Sequence, residues 1–261
     1  MTTALCKSSA ALRDDNYRML AQKNFDFLIQ NFNINKDGAG LKHTCKNKIA
    51  KHPAFLDDYA CLIQCCIHLQ ELTAETKYLI WAKDFTSRVI RDFTDDTTGF
   101  FFFTGKAQTD VIVRTKEVYD GATPSGNSVM AENLFYLSVI FGKKEWQQQA
   151  QKITSSLKTA VVRYPTSFAI WASAALKQFY GVNEIVITGA DHNNIRARLL
   201  QQYLPDKILQ SASLASSEFP LLAGKDPGAG TLIYLCKNYT CQAPVNNLES
   251  LLLQLRKWPD N

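Results

Sequence analysis

One pattern occurs three times in the first two thirds of the chain and constrains its fold more than any other feature. An aromatic residue is followed four positions later by alanine, at Tyr17, Tyr78 and Trp146. Another apolar residue stands fifteen positions after each aromatic, and apolar residues recur between them at the spacing of one helix face. Each copy is therefore predicted to form an amphipathic helix.

A second helix is predicted just before each copy, over residues 3–12, 55–72 and 128–141. Short polar links join the two members of each pair. Links of this length place neighbouring helices antiparallel, so each pair is predicted to be a helical hairpin. A seventh helix is predicted over residues 165–180.

Proline and loop signals mark the expected starts of the leading helices. Pro53, Pro124 and Pro165 are predicted to occupy first turns, where a missing N–H costs little, and Thr123 is predicted to be an N-cap. Loops containing Asp37-Gly38 and Thr98-Gly99 are predicted between hairpins, with residues 99–103 extended.

Stacked hairpins bury their apolar stripes either in an open solenoid or in a closed α/α toroid. The period of about 60 residues and the long loops favour the toroid, with functional loops on one rim. Six hairpins close such a ring, and they need twelve helices. The predicted fold is therefore mainly α: a partial α/α toroid of the six-hairpin glycosidase-like type, with about seven helices in residues 1–181.

The pattern changes after Gly181, and residues 182–261 are predicted to form a small α/β C-terminal unit. Strands are predicted over residues 184–188 and 231–236, and helices over 193–203 and from Asn246 or Asn247 to Leu255. Residues 207–214 fit either a strand or a helix.

Composition excludes several classes of function. The net charge is +5 without a basic stripe, which argues against nucleic-acid binding, and no apolar run reaches membrane-spanning length. The first dozen residues do not resemble a signal peptide. Three of the seven cysteines, Cys61, Cys65 and Cys66, crowd one apolar helix. We therefore expect a cytoplasmic protein with reduced, buried thiols.

Candidate binding residues lie in the loops and first turns before the leading helices, which would face the funnel of a toroid. Residues 55–59 supply two acids, and residues 113–128 combine charged and small residues around a Gly-rich turn. Helix capping explains the acids of residues 55–59 equally well. The predicted substrate-binding candidates are Asp57, Asp58, Tyr59, Arg114, Glu117, Tyr119, Asp120, Ser125 and Asn127.

Two kinds of function remain open at this stage. Paired carboxylates, such as Asp58 with Glu117 or Asp120, would suit glycosidic cleavage, and they would equally hold sugar hydroxyls without catalysis. Whether the chain is an enzyme is therefore open. The alternative is a non-catalytic scaffold or docking module, because half a ring exposes the apolar edges of its terminal hairpins to a protein partner or a second copy.

Metal and thiol chemistry have weaker signals. His43, His52, His68 and His192 lack the spacing of metal ligands, and we expect no metal and no cofactor. Cys236 and Cys241 are separated by four residues, too many for a thioredoxin-type pair. A disulfide, a soft-metal site and two unlinked thiols all remain open for them, and a redox function would depend on these two residues alone.

Residues 55–60 (FLDDYA) and 116–128 (KEVYDGATPSGNS) together resemble the C-terminal half of the YyaL-type proteins, which include the spermatogenesis-associated thioredoxin-like proteins of animals. Residues 99–102, 203–205 and 236–244 also match. The resemblance implies a six-hairpin glycosidase-like toroid related to the N-acylglucosamine 2-epimerases, preceded in relatives by a thioredoxin-like domain. This chain is expected to start inside the toroid and to lack that domain. The resemblance assigns no catalytic residues.

Overall fold

Helices dominate the part of the chain that the computed structural model describes, which is residues 1–35 and 40–257. Ten α-helices and two small sheets lie in these residues. The Asp37-Gly38 loop lies outside them. The described chain is thus mainly α with an α/β part. None of its helices is both long and apolar enough to cross a membrane.

The three predicted hairpins are present. They are α1 and α2 (Thr2–Leu12, Asp15–Asn31), α3 and α4 (Leu56–Thr73, Lys77–Phe93), and α5 and α6 (Gly126–Phe141, Lys144–Ser156). The last predicted hairpin helix breaks at Leu157, where the short α7 (Lys158–Arg163) begins. A 3₁₀ turn (Pro165–Ser167) and α8 (Ala169–Tyr180) follow.

The leading helices form a row. Helix α3 packs against α1 on one side and α5 on the other, and α5 also packs against α8. Helices α2, α4 and α6 pack mainly on their own hairpin partners. Of the aromatic residues of the repeat, Tyr78 and Trp146 are buried and Tyr17 is partly buried. At the end of the row, α8 buries Trp171 and leaves Phe179 and Tyr180 exposed.

Pro53, Pro124 and Thr123 do not occupy the helix-start positions predicted for them, because residues further along the chain cap these helices. Pro53 ends a strand, and α3 begins three residues later, where the Asp58 carboxylate accepts the N–H of Phe55 at 2.9 Å. Helix α5 is capped by Ser125, whose Oγ accepts the N–H of Ser128, and not by Thr123. Pro165 does occupy the first position of its 3₁₀ turn.

A β-hairpin that the sequence analysis did not predict precedes α3. Strands β1 (Lys42–Lys46) and β2 (Ile49–Pro53) pair antiparallel. Asn47 and Lys48 connect them with φ of 52° and 62°. Two left-handed residues in a two-residue connection are the geometry of a type I′ turn, which suits the twist of paired strands.

The elements of the C-terminal part are, in chain order, β3 (Asn183–Gly189), α9 (His192–Leu199), β4 (Lys207–Ala212), β5 (Thr231–Lys237), β6 (Thr240–Cys241) and α10 (Leu248–Lys257). The four strands form one sheet in the order β4-β3-β5-β6. Strands β3 and β4 are parallel, whereas β5 pairs antiparallel with both β3 and β6. The ambiguous residues 207–214 contain β4, and the side chain of Asn247 caps α10 by accepting the N–H of Ser250.

The two faces of this sheet contact different cores. Val186 and Ile208 belong to the large apolar cluster that α3 and α5 also form. Ile185 and Leu209 face the opposite way, into a smaller cluster with α9 and α10. Because strand side chains alternate between faces, the sheet is covered on both sides.

Candidate functional site

A cleft of about 670 Å³ opens between α1, α2, β1 and the first half of α3. One part of its lining is apolar, from Leu28, Phe32 and Leu41. The other part is polar, from Lys7, Asn24, Lys42, His43, Asp57, Asp58 and Gln64. This mixture of an apolar surface and convergent hydrogen-bonding groups is typical of a small-molecule site.

Asp58 and His43 form a pair at this cleft. The Nδ1 atom of His43 lies 2.9 Å and 3.1 Å from the two carboxylate oxygens of Asp58. His43 also packs edge-on against the ring of Phe55, with 4.9 Å between ring centroids. Asp58 itself is fixed by the N–H of Phe55, so the first turn of α3 and strand β1 together hold the imidazole in place.

Asp57 lies where the cleft meets the start of α5. Its Oδ1 atom is buried against Gly126 and makes no hydrogen bond of good geometry with a described residue. Burial raises the pKa of Asp57, the nearby N–H of Gly126 opposes that shift, and the negative charges of Asp58 and Glu117 raise it further. Glu117 is exposed, does not line the cleft, and accepts the N–H of Tyr119 at 2.9 Å. The structure therefore brings two of the predicted acids, Asp57 and Asp58, to the cleft.

Asp120 lies elsewhere, inside the loop that begins α5. It is buried, and its Oδ1 accepts the hydroxyl of Ser128 at 2.6 Å and the N–H of Ser125 at 3.1 Å. Its Oδ2 accepts the N–H of Ile170 at 3.0 Å. Asp120 thus joins the starts of α5 and α8.

Asn127 has an equally complete set of partners. Its Oδ1 accepts the N–H of Phe101 at 2.8 Å, and its Nδ2 donates to the carbonyl oxygens of Phe101 and Glu117 at 2.9 and 2.8 Å. The side chain is fully buried. Asn127 holds the extended segment around Phe101 against the first turn of α5.

The remaining candidates also make internal contacts. Arg114 donates to the carbonyl oxygens of Thr104 and Asp92. Tyr119 is half exposed, and its hydroxyl accepts that of Ser167. Tyr59 is 4% exposed and packs in the core. The structure places these three residues, with Ser125, Asp120 and Asn127, outside the lining of the cleft.

Sequence reasoning did not single out His43 as a site residue. Its pairing with Asp58 depends on the β1–β2 hairpin, whose polar, exposed strands have no alternating pattern. Asp58 and Asp57, by contrast, were visible as acids at the start of an apolar helix.

The cysteines divide into two groups. Cys236 and Cys241 are directly opposite on β5 and β6 and form a disulfide. Cys6, Cys65 and Cys66 are buried free thiols, and burial raises the pKa of Cys6 and Cys65 to about 12. Such thiols are protonated at neutral pH and unreactive. Cys61, which was expected to be buried with its neighbours, is exposed and lines the cleft. The residues that the structure describes contain no cluster of three or more side chains that could hold a metal ion.

The geometry defines a mainly α-helical protein with an α/β part and an acidic cleft at the first turn of α3. The chain is similar to spermatogenesis-associated protein 20 of Rattus norvegicus and of Homo sapiens, at 28% identity over 206 residues in each case. The protein of the same name from Mus musculus is 27% identical over 204 residues. Each alignment covers 74% of this chain and 26% of the relative.

The chain thus spans about a quarter of the length of the curated relatives it matches. No family model matches the chain. The names of the relatives state no activity, so the similarity supports a family of uncharacterised function.

Proposed function

We propose that this chain is a member of the family of spermatogenesis-associated protein 20 that binds a carbohydrate in the cleft at the first turn of α3. The similarity to relatives over three quarters of the chain supports the family. The row of leading helices α1, α3, α5 and α8, with α2 and α4 packed on their partners, supports the partial α/α toroid. In such an arrangement the cleft would occupy part of the funnel wall.

The observation on which the proposal rests is the lining of the cleft, which combines the Asp57 carboxylate with an apolar surface. Carboxylate oxygens accept strong, charge-assisted hydrogen bonds from the hydroxyl groups of a ligand. Asp58, His43 and Asn24 add hydrogen-bonding groups around the same space, while Phe32 and Leu28 offer an apolar surface. A sugar ring has polar edges and less polar faces, and it would match both parts of the lining.

The same acids would suit glycoside chemistry. Cleavage requires one carboxylic acid that retains its proton and a second carboxylate as base or nucleophile. Burial raises the pKa of Asp57, which is the direction required of the acid. Asp58, held by the N–H of Phe55 and by His43, would take the second role. Carbohydrate binding without cleavage would use the same contacts.

Ligand-observed NMR against a panel of mono- and disaccharides tests the proposal, followed by calorimetry on any sugar that binds. We expect Asp57→Asn and Asp58→Asn each to weaken binding by at least about tenfold, the size of a lost hydrogen bond to a charged group. Asp110→Asn is the matched control, because Asp110 is exposed and does not line the cleft. It should bind as the wild type does.

A folded wild-type chain that binds none of the sugars would overturn the carbohydrate proposal. That outcome would favour the alternative, a non-catalytic partner-binding scaffold. One observation is in keeping with this alternative: the outer face of α8 leaves Leu176, Phe179 and Tyr180 exposed.

A further inference from the structure

A second cavity, of about 280 Å³, lies at the opposite ends of helices α1 and α3 from the acidic cleft. It is bounded by the end of α1, the start of α2, the link between α3 and α4, and helix α9. Three arginines contribute to its lining: Arg13, Arg18 and Arg196. Ser9 and Asn193 add uncharged polar groups.

Arg196 is the unusual member of this set. Its side chain comes from α9, and the residue is only 7% exposed. Nη1 donates to Oδ1 of Asn193 at 2.6 Å and to Oγ of Ser211 at 3.3 Å. Nε is buried and has no hydrogen-bond partner among the described residues. A guanidinium group this deeply buried normally has a carboxylate or another anion beside it.

No carboxylate of the described chain takes that place. The charged group that acts on Arg196 is another arginine, Arg18. Burial is the larger cause and the positive charge of Arg18 the smaller, and together they lower the pKa of Arg196 to about 10. The two acids that line the cavity are engaged elsewhere. Asp15 pairs with Arg18, with 2.9 Å between Oδ1 and Nε, and Glu75 pairs with Lys77.

The cavity therefore has an excess of positive charge: three arginines against two acids. Arg13 is the C-cap residue of α1 and has a left-handed backbone conformation. Its side chain is exposed and forms no ion pair with any described residue. Arg18 divides its donors between Asp15 and Gln22. An anion in the cavity would balance the excess charge beside the buried guanidinium group of Arg196.

We propose that this cavity binds the phosphate group of a small molecule. A guanidinium group offers parallel N–H donors that match the oxygens of a phosphate, and such contacts are among the strongest in proteins. The cavity is larger than a single phosphate ion, so a small phosphomonoester would also enter it. The site is separate from the acidic cleft, and the proposal stands independently of carbohydrate binding.

Calorimetry and thermal unfolding of the full chain test this proposal, with inorganic phosphate and glycerol 3-phosphate as probes. Sodium chloride at the same ionic strength controls for general screening. We expect saturable binding of at least one probe, and a rise of about 3–5 °C in Tm at ten times its Kd. A tighter phosphomonoester would identify an organic phosphate as the natural ligand, and tighter inorganic phosphate would identify the free ion.

Arg196→Gln should weaken binding by at least about tenfold, the loss of one charge-assisted contact. Arg18→Gln should weaken it by a smaller factor. Arg198→Gln is the matched control, because Arg198 lies two residues further on the same helix and pairs with Glu249 at 2.6 Å outside the cavity. Its affinity for phosphate should stay within about twofold of the wild type.

The stability of the variants provides a second readout. Without phosphate, Arg196→Gln should be at least as stable as the wild type, because it removes a buried charge that has no ion-pair partner among the described residues. With saturating phosphate the order should reverse. The proposal is wrong if chloride and phosphate shift Tm equally, or if Arg196→Gln and Arg198→Gln bind phosphate as the wild type does.

Discussion

The lining of the acidic cleft and the loop of residues 113–128 contain similar densities of polar side chains, yet they use them differently. In the loop, Asp120 and Asn127 have hydrogen-bond partners on every side-chain oxygen and nitrogen. In the cleft, the polar side chains line an open space beside an apolar surface. A concentration of polar residues therefore does not by itself identify a ligand site, because such residues can satisfy one another's hydrogen bonds within a loop.

The two regions meet at Gly126. This residue begins α5, and a Cβ atom placed on it would contact the Asp57 carboxylate and come within 2.9 Å of Cγ of Leu56. The absence of a side chain lets the first turns of α3 and α5 approach each other. The loop thereby sets the position of the cleft without lining it.

The largest effect is expected for Asp120→Ala, in the loop. The change leaves the backbone N–H groups of Ser125 and Ile170 without their acceptor, and the Ser128 hydroxyl keeps only the carbonyl oxygen of Ser125. We expect the free energy of unfolding to fall by about 3–4 kcal/mol, measured by urea denaturation. Asp110→Ala, an exposed control, should change it by less than about 0.5 kcal/mol. A loss below about 1 kcal/mol for Asp120→Ala would show that the loop is not held by this residue.

An intermediate effect is expected where the regions meet. Alanine has the better helix propensity, by about 0.8–1 kcal/mol, so Gly126→Ala would stabilise an unobstructed helix. The crowding against Asp57 and Leu56 should reverse that sign and cost about 1–3 kcal/mol in urea denaturation. Gly230→Ala is the control, because a Cβ there meets open space. Stabilisation by Gly126→Ala would contradict the close approach of the two helices.

The smallest effect is expected in the cleft, for Asp57→Asn. Burial raises the pKa of Asp57, so the folded chain holds this proton more tightly than the unfolded chain does. This contribution to stability is present at pH values below the unfolded pKa, near 3.9, and is lost as the pH rises through the folded pKa.

Asparagine does not titrate, so Asp57→Asn should abolish the loss of stability that the wild type shows as the pH rises. The variant should therefore be more stable than the wild type at pH 7, by up to about 0.5 kcal/mol. Urea denaturation at several pH values above about 4 would measure it, with Asp110→Asn as control. Identical pH profiles for the wild type and Asp57→Asn would contradict the assigned environment of Asp57.

Most of the helical part was predictable, because it depends on local patterns. Apolar residues at helical spacing and short polar links predicted α1 to α6, and the apolar runs of β3 and β5 predicted two strands. The hairpin of β1 and β2 was not predictable in the same way. Its strands are mostly exposed, and its turn uses Asn47 and Lys48 without the glycine that usually marks a type I′ turn.

The candidate site was predictable only in part. Asp57 and Asp58 were visible as acids in a first helical turn. His43 is placed beside Asp58 by strand β1, which the sequence did not predict. The hydrogen bonds of Asn127 with Phe101 and of Asp120 with Ile170 join residues 26 and 50 positions apart in the chain. Which polar groups are left unpaired is a property of the packed structure and not of a local pattern.

Helix α3 connects the acidic cleft to the arginine cavity. Its 18 residues form one rod of about 27 Å, whose first turn lines the acidic cleft and whose last turn lines the arginine cavity. Ligands at the two ends would therefore touch the same rigid element. If an anion at one end changed the affinity for a ligand at the other by some factor, thermodynamic linkage requires the reverse effect to have the same factor.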